Sequence, residues 1–343
     1  MSARAERLVR LLADGAMHSG ERLAADLGVT RAAVWKTVAE LRERGIAVAS
    51  HERRGYRLER PVELLDLQSL RRSAAAAGVA LPEATAVFFE LGSTNEYLHA
   101  AAAPPPAAPR LVFAELQTAG RGRRGREWLA PFGSGLTFSL GWTFAEMPAD
   151  LSALGLALGV CVVRALRELG VADVQLKWPN DIVHGHAKLG GLLLQMRSEA
   201  GGPAYVVAGL GLNLALPESA RAALQSPLAT PATDLASACG GIPPPRLDTA
   251  ARVSGRMLAG LAEFSRSGFA SFADDWVAFD SLRDAPVTVL RHDGQLEGIA
   301  RGADAEGALR VEIPGGVIER VHAGDVSLRR SLRARAKARA RVE

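Results

Sequence analysis

Leu8, Leu11 and Leu12 recur at i, i+3 and i+4 and predict a first amphipathic helix, closed by Asp14-Gly15. Ser19 can cap a second helix, with Glu21 in its first turn and Leu23, Ala24 and Leu27 facing inward. Gly28 supplies a turn, Thr30 caps a third helix, and Val34, Val38 and Leu41 form its inner stripe. Two helices joined by a short glycine-containing turn within about 25 residues make the helix-turn-helix pattern. Arg31, Trp35, Lys36 and Thr37 are predicted on the opposite side of the third helix, where they suit phosphates and base edges. Val48-Ala49-Ser50 and Tyr56-Arg57-Leu58 then flank His51-Glu52-Arg53-Arg54-Gly55. That is a short hairpin with Arg53 and Arg54 near its tip, the shape of a wing against a DNA backbone. A small helical protein-interaction domain with a solvated basic face is the competing reading.

Pro61 through Leu67 reads as a junction, and beyond it the pattern turns α/β. Val87-Phe88-Phe89, Leu111-Val112-Phe113, Leu136-Thr137-Phe138, Val174 to Leu176, Leu192 to Met196 and Tyr205 to Gly211 are strand-like runs. Ser93-Thr94-Asn95 can cap a helix that ends before the proline-rich loop 104–109. Leu151 to Leu169 predicts a long buried helix, with further helices between Thr249 and Phe264 and between Phe269 and Phe279. From Pro286 onward, short alternating runs punctuated by glycines predict a small β-barrel of about 45 residues.

At 343 residues, and with about 150 residues per domain as a rough guide, the chain is expected to hold two or three domains. Hydrophobic residues at 48% and charged residues at 23% exclude a largely disordered chain. The two cysteines, Cys161 and Cys239, exclude a disulfide framework and favour a reducing compartment. Asp14 interrupts the first apolar stretch, which is therefore no signal peptide, and the longest apolar run, Leu151 to Val163, is too short to span a bilayer. A soluble, cytoplasmic protein with no membrane partner is expected. The net charge of +4 divides into +4 over residues 1–60, −6 over the middle and +6 over residues 329–343. Any polyanion partner is therefore expected at the ends. The final run, SLRARAKARARVE, lacks apolar periodicity and is expected to be a disordered basic tail.

Three segments of the middle region carry candidate chemistry. Gly120-Arg121-Gly122-Arg123-Arg124-Gly125-Arg126 combines backbone freedom with four planar guanidiniums and suits a polyphosphate or carboxylate under a flap. A nucleic-acid contact or a plain flexible loop fits it too, and Trp128 just beyond can stack a nucleobase or fill core. Lys177-Trp178-Pro179-Asn180-Asp181 implies a rigid corner. Lys188, ahead of Gly190-Gly191 and an apolar strand, is expected to point into a cleft, where an ammonium can offset charge developing in phosphoryl or nucleotidyl transfer. The third segment, Gly209-Leu210-Gly211-Leu212-Asn213, is a weak signal, because it lacks the strand–GxGxxG–helix context of a dinucleotide fold. His184 and His186 flank Gly185 as polar hairpin residues, so no metal site is expected.

Together with Ser93-Thr94-Asn95 and Gln117, these segments resemble the biotin–protein ligases over nearly the whole chain, about residues 5 to 330. The arginine-rich loop with Trp128 and the KWPND segment with Lys188 carry the resemblance, and the N-terminal module points to the bifunctional ligase–repressor type. The resemblance implies a winged helix (1–62), a central mixed α/β catalytic domain related to class II aminoacyl-tRNA synthetases (63–283), and an SH3-like β-barrel (284–330), with a basic tail over 331–343. It also implies an activity. Biotin and MgATP would give biotinyl-5′-AMP, whose biotinyl group passes to a lysine of the biotin carboxyl carrier protein of acetyl-CoA carboxylase. The adenylate would serve as corepressor for a ligand-linked homodimer on operator DNA of biotin-synthesis genes.

By the same resemblance, Ser93, Thr94, Asn95, Gln117, Arg121, Gly122, Arg123, Lys188, Gly190 and Gly191 would bind biotin. Arg123, Arg124, Arg126, Trp128, Lys177, Asn180 and Asn213 would bind ATP and the adenylate. Lys188, Arg121 and Arg123 would carry catalysis, with Asp181 orienting the nucleophilic lysine or a charged partner. Arg31, Trp35, Lys36, Thr37, Arg53 and Arg54 would meet DNA. The family often has an acidic residue at the end of the strand after Lys188, where this chain has Gln195-Met196. Rival readings are a lipoate–protein ligase, a ligand-sensing repressor with an inactive ligase domain, and a ligase without regulatory DNA binding.

Overall fold

In a computed structural model, the structure describes residues 1–52, 54–198, 202–224, 231–291, 294–322 and 327–330. Three helices open the chain: α1 (Ala3–Leu12), α2 (Gly20–Leu27) and α3 (Arg31–Glu43). The hydroxyls of Ser2, Ser19 and Thr30 cap them by accepting backbone N–H bonds three residues on. Gly28 at φ 66° closes α2 in the left-handed region that favours glycine, and so makes the turn of the helix-turn-helix. Strands β1 (Val48–His51) and β2 (Gly55–Leu58) pair antiparallel as the expected wing. Leu8, Leu12, Leu23, Val34, Val38 and Leu41 form the core of this unit, which extends to Phe89 and Phe132 of the next.

Residues 61–66 lead into α4 (Leu67–Ala76), a helix absent from the sequence reading, capped by the Asp66 carboxylate. The central unit then runs β3 (Ala84–Leu91), α5 (Thr94–Ala100), β4 (Arg110–Gln117), β5 (Gly135–Phe144), α6 (Leu154–Glu168), β6 (Val174–Lys177), β7 (Asp181–His184), β8 (Ala187–Ser198) and β9 (Ala204–Asn213). It continues with α7 (Glu218–Leu224), α8 (Leu235–Ala238), α9 (Arg246–Ser267) and α10 (Ala273–Phe279). The seven strands lie in the order β3-β4-β5-β9-β8-β7-β6, parallel between β3 and β4 and antiparallel elsewhere. Leu136, Phe138, Leu210 and Leu212 on one face belong to the same core as α6 and α9. On the other face, Thr137, Ser139, Gly209 and Gly211 lie beneath α5 and the arginine-rich loop. Alternation of large and small side chains along β5 and β9 thus separates core from cleft.

The junction is stitched by a buried ion pair. Arg246, the first residue of α9, donates to both oxygens of Glu115 on β4, at 2.9 and 2.7 Å, with side chains only 6% and 1% exposed. It also donates to the Glu63 and Gly135 carbonyls, while the Leu65 N–H donates to Glu115. Every lone pair so satisfied lowers the cost of placing two charges in the core.

Strands β10 (Pro286–Arg291), β11 (Gly294–Ala303), β12 (Leu309–Glu312), β13 (Ile318–Val321) and β14 (Ser327–Arg330) form an antiparallel sheet in the order β13-β12-β11-β10-β14. Its Val287, Val289, Leu309 and Val311 join the central core. The expected tail, 331–343, lies outside the described residues. Among those described, no helix is long and apolar enough to cross a membrane.

Candidate active site

Two glycines on β9 set the floor of the cleft. A methyl group at Gly209 would fall 2.2 Å from Asn95 Oδ1, and one at Gly211 would fall 2.2 Å from Trp128 Cε2. The GLGLN segment is therefore built for close approach from above. Ser93 caps α5, and Thr94 and Asn95 are buried behind it. The Thr94 N–H donates to Gln117 Oε1 at 2.7 Å, and Ser139 Oγ joins Thr94 Oγ1 (2.7 Å) to Asn95 Oδ1 (2.7 Å). Asn95 Nδ2 donates to Gln195 Oε1 at 2.9 Å. Ser93, Thr94, Asn95 and Gln117 are thus one connected group. Ser139 and Gln195 hold it: Gln195 stands where the family resemblance leads one to expect an acid, while Ser139 lies on a strand whose sequence reads as ordinary core and carries no signal.

Lys188 owes its aim to a β-bulge. Ile182 pairs with Gly190 but Val183 pairs with Lys188, so the register slips at Leu189. Lys188 and Gly191, which regular alternation would put on opposite faces, therefore share one. Lys188 Nζ lies 2.6 Å from Asp181 Oδ1 and 5.7 Å from the Trp128 ring centroid. Asp181 thus faces Lys188. Gly190 points the other way, toward Leu212 and Ile182, so the expected Gly190-Gly191 wall is provided by Gly191 alone.

The KWPND corner is rigid for visible reasons. The Trp178 indole is buried and donates to the Gly307 carbonyl at 2.9 Å, tying the corner to the C-terminal sheet. Asn180 Nδ2 donates to the Leu192 carbonyl at 2.6 Å, and Lys177 pairs with Asp181 across the turn. The arginine loop spans the cleft from wall to wall. Arg121 lies 3.4 Å from Glu96 on α5, while Arg123 donates to Asn180 Oδ1 at 3.2 Å. Arg124, at φ 59°, and Arg126 are exposed, and Gly122 N–H donates to the Arg126 carbonyl. Burial holds the Arg123 guanidinium below its usual value, with repulsion from Arg124 and Arg126 added and Asp181 opposing. Positive charge so crowded suits an anion. Trp128 keeps an indole N–H that is shut from solvent and has no hydrogen-bond partner among the described residues.

Asn213 is buried and donates to the Thr233 carbonyl at 2.9 Å. Pro231 and Thr233 in turn pair with the Lys188 backbone, so Asn213 reaches the cleft through that strap. Among the described residues, no group of three His, Cys, Asp or Glu side chains gathers as metal ligands would. On α3, Trp35 is 62% exposed, with Arg31 and Lys36 exposed beside it, and Arg54 is exposed on the wing. Thr37 corrects the sequence reading. It is 2% exposed, and its hydroxyl donates to the Ala33 carbonyl at 2.8 Å, so it packs inward beside Val38. Arg53 lies outside the described residues.

A helix-turn-helix unit, a mixed-sheet domain with an arginine loop over a lysine, and a C-terminal antiparallel sheet make a multidomain chain with an anion-suited cleft. Residues 90–213 match the biotin/lipoate A/B protein ligase family, residues 4–57 an HTH domain, and residues 285–329 the biotin protein ligase C terminal domain. The chain is 36% identical over 322 residues to the bifunctional ligase/repressor BirA of Salmonella typhimurium, covering 94% of this chain and 96% of that protein. It is 34% identical over 269 residues to the biotin–[acetyl-CoA-carboxylase] ligase of Mycobacterium tuberculosis, covering 76% and 95%. A structure of the Aquifex aeolicus biotin protein ligase in complex with biotin and ATP superposes with a TM-score of 0.60 at 27% identity, covering 73% of this chain and 100% of that one. The chain belongs to the BirA family of bifunctional ligase/repressors.

Proposed function

We propose that this protein activates biotin with ATP and passes the biotinyl group to a lysine of the biotin carboxyl carrier protein. A biotin carboxylate oxygen attacks the α-phosphorus, the bond to the bridging oxygen breaks, and pyrophosphate leaves. The carrier amine then attacks the acyl carbon of biotinyl-5′-AMP, and AMP leaves. The observation that carries this reading is the bulge-aimed Lys188 beside a loop whose arginines reach both walls of one cleft. Carboxylate and triphosphate repel each other, and fixed cations at their meeting point offset that repulsion without reorganising.

Biotin's ring is assigned to Ser93, Thr94, Asn95 and Gln117, and its chain to Gly191. Its carboxylate and the α-phosphate fall to Arg121, Gly122, Arg123 and Lys188, which Asp181 orients at 2.6 Å. Arg124, Arg126, Lys177 and Asn180 suit the remaining phosphates, and Trp128 suits the adenine, with Asn213 holding the strap beside it. Mg2+ arrives on ATP. The divisions 1–62, 63–283 and 284–330, the kinship of the middle domain to class II aminoacyl-tRNA synthetases, the SH3-like character of the last and a cytoplasmic location complete the reading. Streptavidin blotting after incubation with carrier domain, ATP and biotin tests it, and an unlabelled carrier refutes it.

The same adenylate is proposed as corepressor. One module of this size has too small a footprint for tight specific binding, which favours a two-fold dimer on a palindromic site. Arg31, Trp35, Lys36, Arg53 and Arg54 would meet the DNA. Lys36→Ala should lower the salt slope of operator binding by about one unit. Binding upstream of biotin-synthesis genes that ignores biotin and ATP would contradict the corepressor role.

A further inference from the structure

Ser93 and Glu96 have the spacing of a capping box, in which the glutamate reaches back to the N-cap N–H. Half of that box is present: the Glu96 N–H donates to Ser93 Oγ at 3.5 Å. The Glu96 carboxylate turns elsewhere. Its Oε1 accepts from Gln195 Nε2 at 3.2 Å and lies 3.4 Å from Arg121 of the arginine loop. Gln195 is itself fixed by Asn95 Nδ2 at 2.9 Å. Where the family resemblance leads one to expect an acid, Gln195 stands, and the neighbouring carboxylate comes from α5 instead.

We infer that Glu96 is a positioning residue that holds Arg121 against α5 in the ligand-free enzyme, steered by Gln195, until a substrate anion takes the guanidinium over. The inference rests on the ligase reading for what receives Arg121. Side-chain exposures of 58% for Arg121 and 40% for Glu96 make the pair weak enough to exchange. Glu96 and the incoming oxyanion compete for one guanidinium, so the pair sets apparent substrate affinity and leaves the chemical step alone. It also fixes one end of a loop whose other end is held at Asn180.

Trypsin reads the latch directly, because Arg121, Arg123, Arg124 and Arg126 are all cleavage points. Without ligand, Glu96→Gln should be cut in this loop about threefold faster than the parent, as expected for loss of one exposed ion pair. Glu96→Asp keeps a charge at the helix N-terminus but falls short of Arg121, and it should behave like Glu96→Gln. Added to Arg121→Ala, Glu96→Gln should change nothing. In steady state, Glu96→Gln should lower KM for biotin about two- to fivefold with kcat unchanged. Equal cleavage of parent and Glu96→Gln overturns the proposal. So does an effect that persists without Arg121, which would mean a loosened α5. The ligand-free comparison needs no ligase activity, whereas failure of biotin and ATP to protect the parent loop counts against the ligase reading.

Discussion

Replacing Gly211 with alanine should damage the use of ATP and leave biotin capture standing. The added methyl falls 2.2 Å from Trp128 Cε2 and 2.6 Å from both Cζ2 and Nε1, so the indole must leave its seat. The strand itself tolerates the change. Gly211 is not in the left-handed region, and exchanging a strand glycine for alanine removes an entropic cost of about 0.5–1 kcal/mol. Damage is therefore confined to the Trp128 indole and to the loop anchored by the Trp128 backbone N–H, which donates to the Gly120 carbonyl at 2.9 Å. An aromatic stack on a base contributes about 1–3 kcal/mol. At about 1.4 kcal/mol per tenfold, KM for ATP should rise about 5- to 150-fold. Gly209→Ala is the mirror control, because its methyl falls 2.2 Å from Asn95 Oδ1 and should raise KM for biotin instead. Initial rates of pyrophosphate release, with each substrate varied against saturating partner, separate the two. Trp128 visibly displaced by fluorescence, with KM for ATP unchanged, would refute its assignment to adenine.

Lys188→Ala should lower adenylation by orders of magnitude while the fold survives, since the side chain faces the cleft; near-normal pyrophosphate release would remove Lys188 from the mechanism. Arg246→Met leaves Glu115 charged and buried, and should cost about 3–5 kcal/mol in denaturant titrations, much of it restored by adding Glu115→Leu. A loss below about 1 kcal/mol would show the junction to be held by other contacts. Burial pushes the Asp280 carboxyl up, and its Oδ2 has no hydrogen-bond partner among the described residues. The folded state therefore favours the protonated acid, and stability falls as pH rises from the ordinary carboxylate range through the raised value. Asp280→Asn should raise Tm by about 2 °C near pH 7, with the gain fading in acid; a gain that ignores pH would disprove the cause.

The sequence makes the first sixty residues legible because Ser19, Gly28 and Thr30 mark helix ends by local chemistry, which needs no tertiary partner. Thr37 misleads for a related reason: at the edge of the Val34–Val38 stripe, a helical wheel does not decide whether a small hydroxyl faces in or out. Leu70 and Ala74 are the buried positions of α4, too thin a stripe to register among alanines. The candidate site is legible as residue types but not as geometry. A one-residue bulge at Leu189 decides where Lys188 points, and nothing in KLGG announces it. The Glu115–Arg246 pair joins residues far apart in sequence, so neither charge advertises its burial.

Packing between the first unit and the second has a practical consequence for anyone who wants the catalytic portion alone. Phe89 and Phe132 stack at 5.8 Å within the same apolar cluster as the leucines of α1 and α3, and Arg44 grips Glu90 at 2.7 Å. Trimming the chain at the start of the linker would turn that shared interior into a greasy outer wall beside an orphaned acid. A truncated version would self-associate unless the two phenylalanines were replaced by polar side chains. Resurfacing Phe89 and Phe132 first, and only then cutting, is the order of operations the architecture dictates.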